Sequence, residues 1–273
     1  MEVFMPPYDG GENLLSYKLQ KECIMSSLRN IFGTDTENYD RFRPRYTSEL
    51  FEFISANTNG KNALEIGSGS GQATEWFLNH DYSVTCCEIS SDFCDFLREK
   101  YKNYPITVEN LPFEDFKGEN ESFDLIFSAT AFHWVDKDAG FKKLYDLLKK
   151  GGTAAIFWNV PYGAYDNEAL HNDIQKAYNS DRKWESEPKE KYGFCMEYLE
   201  KYYFADIEKH IFRGVRKLTS NEYISLLETY SDHKSMEKSK KEELYKNIAS
   251  AIEKHGGHIN ILDNIELYLA RRK

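Results

Sequence analysis

Leu64-Glu65-Ile66-Gly67-Ser68-Gly69-Ser70-Gly71-Gln72 is the stretch on which the reading of this chain turns. Ala63-Leu64-Glu65-Ile66 reads as a short strand. The glycines that follow let the backbone pass close to a ligand and expose amide donors where a helix begins. A dinucleotide-binding turn reads G-x-G-x-x-G, but the sixth position counted from Gly67 is Gln72. The spacing is G-x-G-x-G, which favours a nucleoside without a pyrophosphate over NAD. Glu88 closes the next strand, 21 residues after Gly67, where a carboxylate can accept from both ribose hydroxyls. The competing reading makes the glycines a structural turn and Glu88 a cap for the helix that starts near Ser90.

Outward from this turn, apolar spacing alternates between two periods. Residues 72–79 read as a helix and 82–88 as a strand. Residues 92–101 read as a helix with Phe93, Phe96, Leu97 and Tyr101 on one face. Strands over 106–109, 123–129 and 153–158 follow. The helix over 138–150 has Asp136 as its cap, Phe141, Leu144, Leu147 and Leu148 as its stripe, and Gly151 as its stop. Strands alternating with helices imply a parallel sheet wrapped on both faces. Leu125-Ile126-Phe127 and Ala154-Ala155-Ile156-Phe157-Trp158 are apolar without alternation, as central strands covered on both faces should be.

Upstream, Leu15, Leu19, Cys23, Ile24, Leu28 and Ile31 recur at spacings of three and four, predicting a helix over 13–32, and a shorter helix is expected over 48–56. After Pro161 the chain becomes aromatic and charged with weak periodicity, and 162–204 reads as a helical insertion. Ile265, Leu267 and Leu269 alternate with Glu266 and Tyr268, so the last strand is expected to be half-exposed at a sheet edge.

The 273 residues carry 35 basic and 45 acidic side chains, a net charge of -10, which argues against binding bare nucleic acid. A hydrophobic content of 41% is enough for a substantial core. No apolar run approaches the ~18 residues of a membrane span, and the first residues carry acids and two prolines rather than a signal sequence, so a cytoplasmic protein without membrane contact is expected. Cys23, Cys86, Cys87, Cys94 and Cys195 form no C-x2-C pair and are read as buried hydrophobes rather than disulfide or zinc positions.

Together with Phe123-Asp124-Leu125-Ile126-Phe127-Ser128 and the passage Leu147-Leu148-Lys149-Lys150-Gly151-Gly152, this order resembles the class I S-adenosylmethionine-dependent methyltransferases. Tyr39-Asp40-Arg41-Phe42-Arg43-Pro44-Arg45-Tyr46, Leu111-Pro112-Phe113 and Ala131-Phe132-His133-Trp134 resemble its type 11 small-molecule branch, which contains the trans-aconitate methyltransferases. So do Leu227-Glu228-Thr229-Tyr230-Ser231 and the Gly256-Gly257 turn. Thr47 departs from that branch, which often has a second proline there.

The resemblance implies an α/β fold, a doubly wound Rossmann-like seven-stranded sheet, mostly parallel with an antiparallel last strand. It divides into an N-terminal helical cover (1–60), a cofactor-binding core (61–160), a helical insertion over the substrate pocket (161–204) and a C-terminal completion of the sheet (205–273), within a single domain. S-adenosyl-L-methionine is the implied cofactor. Gly67, Ser68, Gly69 and Gly71 would wrap its methionine part with Glu65 near the amino group, and Glu88 and Ile89 would hold the ribose and adenine. Val108, Glu109 and Asn110 match the segment that lies against the adenine, and Tyr39 and Arg43 fall over the cofactor or an acidic substrate.

Ser128 and Ala129 open the floor between cofactor and acceptor, since ligands of open α/β sheets sit beyond the carboxyl ends of the strands. His133 and Trp134 are the catalytic candidates on that floor. The function implied is methyl transfer to a small molecule, with a carboxylate methylated on oxygen, or a hydroxyl or amine, as acceptor. A non-catalytic adenosylmethionine-binding module is the alternative from another class. No metal is called for: His255 and His258 have no third ligand nearby in sequence. Asn159-Val160-Pro161-Tyr162 imitates the N/D-P-P-Y motif of nitrogen-directed methyltransferases, but follows the fifth strand where that motif follows the fourth.

Overall fold

The computed structural model describes residues 35–180, 183–184 and 190–273, so the helix expected over 13–32 lies outside the described residues, as does Cys23. Seven strands form one sheet in the order β3-β2-β1-β4-β5-β7-β6. These are β1 (Asn62–Ile66), β2 (Ser83–Glu88), β3 (Ile106–Asn110), β4 (Phe123–Ala129), β5 (Leu148–Gly163), β6 (Ala205–Thr219) and β7 (His258–Arg271). The β1, β2, β3, β4 and β5 pairings are parallel, and β7 runs antiparallel to both β5 and β6.

Side-chain parity builds the two layers. Leu64, Ile66, Ile126, Ile156, Trp158 and Tyr268 point to one face, where they pack on α5 (Lys137–Leu147) and α7 (Phe194–Lys201). Ala63, Leu125, Phe127, Phe157 and Leu267 point to the other, against α2 (Ser48–Ala56) and α3 (Thr74–Leu78). Successive residues of a strand face opposite sides, so apolar runs without alternation feed both layers at once. Each large side chain buried this way contributes about 1.5–3 kcal/mol.

Four further helices complete the wall around the carboxyl ends of the strands. These are α1 (Thr36–Phe42), α4 (Ser91–Lys100), α6 (Glu168–Ala177) and α8 (Ser220–Glu228). The single turn α9 (Ser231–Lys234) and α10 (Lys238–Lys254) follow, and α6, α8 and α10 share a third apolar cluster around Ile174, Leu227 and Ile248.

Two expectations are corrected. The last strand is interior, between β5 and β6, and β6 is the edge, with Ile211 and Val215 exposed. Glu266 and Tyr268 look solvent-facing in the sequence, yet both are buried because the Tyr268 hydroxyl donates to Glu266 Oε2 at 3.1 Å beneath α7. The helix expected over 138–150 ends at Leu147, because Leu148 already lies in β5 with extended backbone. The Lys-Lys-Gly-Gly passage is taken into the strand through a register shift opposite β4. A Cβ on Gly152 would lie 2.8 Å from the Lys149 carbonyl oxygen.

Candidate active site

The sheet order reverses at β1 and β4, and ligands of doubly wound sheets bind in the crevice that opens there. Its floor is the glycine turn after β1. Gly67 has φ +72°, and a Cβ there would sit 2.5 Å from the Cβ of Ala131, so the turn and the β4 exit approach as closely as only glycine allows. Gly69 also has positive φ, at +54°, but its missing side chain faces space: the nearest atoms, Gln72 Oε1 and Tyr39 Cε1, are 3.8 Å from an added Cβ. That open cradle fits a ligand laid against the backbone.

Glu88, at the end of β2, is tied to this turn. Its Oε2 accepts from the Gly69 N–H and its Oε1 from the Ser90 N–H, both at 2.9 Å, while Ser90 Oγ caps α4. Glu65, under the turn, accepts from Thr74 Oγ1 at 2.5 Å. Burial pushes its carboxyl up to about 8, opposed by the Thr74 hydrogen bond and assisted by the charge of Glu88, so at neutral pH it is largely protonated.

The crevice widens into a cavity of about 520 Å³, within the range of small-molecule sites. Arg43, the C-cap of α1, reaches it between two aromatic rings, with Cζ 4.7 Å from the Tyr39 centroid and 4.5 Å from that of Tyr230. One terminal nitrogen donates to the Thr229 carbonyl at 3.2 Å, and the buried Nε has no partner. Arg45 is committed elsewhere, to Glu75 at 3.0 Å and Asp40 at 3.2 Å. Arg43 therefore brings a cation to the cavity with no carboxylate to neutralise it among the described residues.

Opposite, the β4 exit turns at Thr130, φ +56°, and its N–H donates to the Phe157 carbonyl at 2.7 Å. The 3-10 turn Phe132–Trp134 follows and brings His133 and Trp134 to the cavity. The indole N–H of fully buried Trp158 donates to His133 Nδ1 at 3.0 Å, and Tyr192 stacks on Trp158 at 4.2 Å with 8° between the planes. Burial pushes the His133 imidazole down to about 4, so the ring is neutral at physiological pH. On β5, Asn159 lines the cavity while its amide donates to Asp263 on β7, itself paired with Arg216 on β6.

Tyr39, Arg43, Glu65, Gly67, Ser68, Gly69, Glu88, Ile89, Ala129, His133 and Trp134, all named from the sequence, come together around this cavity. Gly71, Val108, Glu109, Asn110 and Ser128 are not in its lining. Gly71 lies under Tyr101, whose hydroxyl donates to its carbonyl at 3.1 Å, and the Ser128 hydroxyl donates to the Ile66 carbonyl inside the sheet. The Asn110 amide donates to the Glu88 and Ile89 carbonyls, so the wall on that side is made by Leu111 and Phe113.

Tyr46, Phe93, Tyr192 and Tyr230 line the cavity without having been singled out as site residues, since only tertiary packing gathers them. Asn159 to Tyr162 do line the cavity, from the end of β5. His255 pairs with Asp173, and no group of three metal-ligating side chains occurs among the described residues. Cys86, Cys87, Cys94 and Cys195 are buried free thiols. No helix among the described residues is long and apolar enough to cross a membrane.

Comparison with known proteins agrees with this geometry. Residues 64–156 match the family described as a methyltransferase domain. An uncharacterized methyltransferase of Schizosaccharomyces pombe is 24% identical over 78% of this chain and 84% of its own length. An uncharacterized methyltransferase of Anoxybacillus flavithermus is 30% identical over 55% of this chain and 75% of its own length. The fold matches a solved structure described as a type II methyltransferase from Anaeromyxobacter dehalogenans, with a TM-score of 0.61 and 20% identity over 84% of this chain and 98% of that one. With the nucleoside-type glycine turn, the carboxylate after β2 and the open cradle at Gly69, these matches make the chain a member of the S-adenosylmethionine-dependent methyltransferases.

Proposed function

We propose that this enzyme methylates a small molecule on a carboxylate oxygen, inside the cavity that also takes the cofactor. The observation that carries the reading is Arg43, a guanidinium held between Tyr39 and Tyr230 with no carboxylate partner among the described residues. An anion is the natural complement of such a cation, and guanidinium matches carboxylate bidentately. The cavity's enclosure by side chains suits a small acceptor.

In this reading Gly67, Ser68 and Gly69 run along the methionine part of the cofactor. Glu88 receives the ribose hydroxyls alongside its two backbone donors, since a carboxylate accepts up to about four hydrogen bonds. Ile89, Leu111 and Phe113 supply an apolar wall for the adenine. When bound, S-adenosylmethionine supplies an electrophilic sulfonium methyl group. The chain's part is to hold the acceptor oxygen against it and to keep water out.

Incubation with the methyl donor and a panel of small carboxylic acids, followed by mass spectrometry, should yield base-labile methyl esters. Products formed only on hydroxyls or amines would contradict the proposal. Arg43→Lys keeps the charge and loses the planar fork, so the acceptor's KM should rise about tenfold or more while the cofactor's changes little. An equal rise for both would assign Arg43 to the cofactor instead.

Glu65 gives a second expectation. With its carboxyl near 8 it is mostly neutral at pH 7, and the cofactor's ammonium beside it favours the charged form. Binding should then release up to about one proton at pH 7, and affinity should rise with pH between about 6 and 8. Calorimetry in buffers of different ionisation enthalpy reads this release, and Glu65→Gln should remove it. A wild type that releases none would place the ammonium elsewhere.

A further inference from the structure

We propose that Trp158 fixes His133 as a neutral ring protonated on Nε2, so that His133 donates a hydrogen bond to an acceptor that arrives already ionised and does not act as its base. This rests on the reading that the acceptor occupies the cavity beside His133.

An indole N–H can only donate, so the atom it meets at 3.0 Å must carry a lone pair: Nδ1 is unprotonated. In a neutral imidazole the proton is then on Nε2. Charging the ring would set one N–H against another, and burial opposes the charge as well, holding the imidazole down at about 4. The donor is itself held, since Trp158 is buried in β5 and stacked on Tyr192, while the turn carrying His133 is fastened to β5 by the Thr130 N–H to Phe157 carbonyl bond.

The described groups in contact with the ring do not replace the missing base. Trp134 from the same turn and Trp158 from β5 do not titrate. Tyr192, ahead of α7, has its phenol pushed up to about 12 by burial and then by the charge of Glu266 on β7. Lys191, beside Tyr192, and Glu65 and Arg43 also line the cavity.

An alcohol or an ammonium acceptor loses a proton on methylation and needs a group to take it. A carboxylate does not. The O–C bond forms from its lone pair as the S–C bond breaks, the electron pair of that bond returns to sulfur, the negative and positive charges cancel, and no proton is released. The Nε2–H then orients the carboxylate, and Trp158 is a positioning residue that sets which nitrogen carries the proton.

Nitrogen-15 NMR of the whole protein labelled at histidine should show His133 with Nε2 protonated and Nδ1 bare, unchanged from pH 6 to 8. At saturating cofactor, where the Glu65-linked change in affinity does not enter, activity of the wild type should be nearly flat over the same range. His133→Gln, which offers an amide N–H near the Nε2 position, should keep about a tenth or more of the activity with a flat profile. Loss of a base would cost about 10²–10⁴.

Trp158→Phe keeps a ring against Tyr192 but removes the indole N–H. Burial still holds the imidazole neutral, but Nδ1 loses its donor, so nitrogen-15 NMR should show both tautomers populated. Activity should fall with the fraction of rings protonated on Nε2. A purely structural Trp158 would lower Tm and leave Nε2 the protonated nitrogen. A proton on Nδ1, or a wild-type rise in activity near pH 6.5 that His133→Gln abolishes, would overturn the proposal. Failure of carboxylates to turn over, with the NMR result as expected, would instead overturn the acceptor assignment alone.

Discussion

Gly69→Val should weaken S-adenosylmethionine binding by about a hundredfold or more, equivalent to ~2.7 kcal/mol, while the protein remains folded. An added Cβ at this position meets nothing nearer than 3.8 Å, so the side chain enters the cavity rather than the core. The structural cost comes from φ +54°, where an L-residue is disfavoured by about 1–2 kcal/mol, or a Tm shift of roughly 2–8 °C for a chain of this size. Gly71→Val should behave in the opposite way. Its Cβ would lie 2.8 Å from Tyr101 Cε2 and 3.0 Å from Leu97 Cδ2, so stability falls first. Calorimetric titration and thermal melts of the two variants separate the effects. Undiminished binding by folded Gly69→Val would remove the glycine turn from the cofactor site.

Glu88→Ala carries the second large effect. Charged hydrogen bonds contribute about 1.5–3 kcal/mol each, so losing those to two ribose hydroxyls should cost tenfold or more in affinity. The structure adds a consequence, because the same carboxylate accepts from the Gly69 and Ser90 backbone N–H groups, and the variant should also loosen the turn and lower Tm. Glu88→Gln keeps one carbonyl oxygen and should fall between wild type and alanine on both measurements. Affinity unchanged in Glu88→Ala would refute the ribose assignment.

What the sequence made legible was what lies close along the chain or repeats with a period. The strand, turn and carboxylate from Leu64 to Glu88 form one local unit, and the apolar runs of β4 and β5 announce strands covered on both faces. The position of β7 was hidden, because the burial of Glu266 depends on a hydroxyl two residues away and on a helix that is remote in sequence. Arg41, Arg43 and Arg45 form one run, from which the resemblance singles out Arg43 without giving a reason. The fold gives the reason, since Tyr230 stacks on Arg43 whereas Asp40 and Glu75 engage Arg45. The nitrogen that carries the His133 proton was equally invisible, because it depends on Trp158, which the sequence shows only as part of an apolar central strand.

A crystal structure with S-adenosylhomocysteine tests the central assignment most directly. The ribose hydroxyls should lie on Glu88, the backbone of Gly67 to Gly69 should run beside the amino-acid part, and the sulfur should face the half of the cavity bounded by His133 and Arg43. A nucleoside bound away from Glu88, or a sulfur turned from His133 toward the sheet, would contradict it.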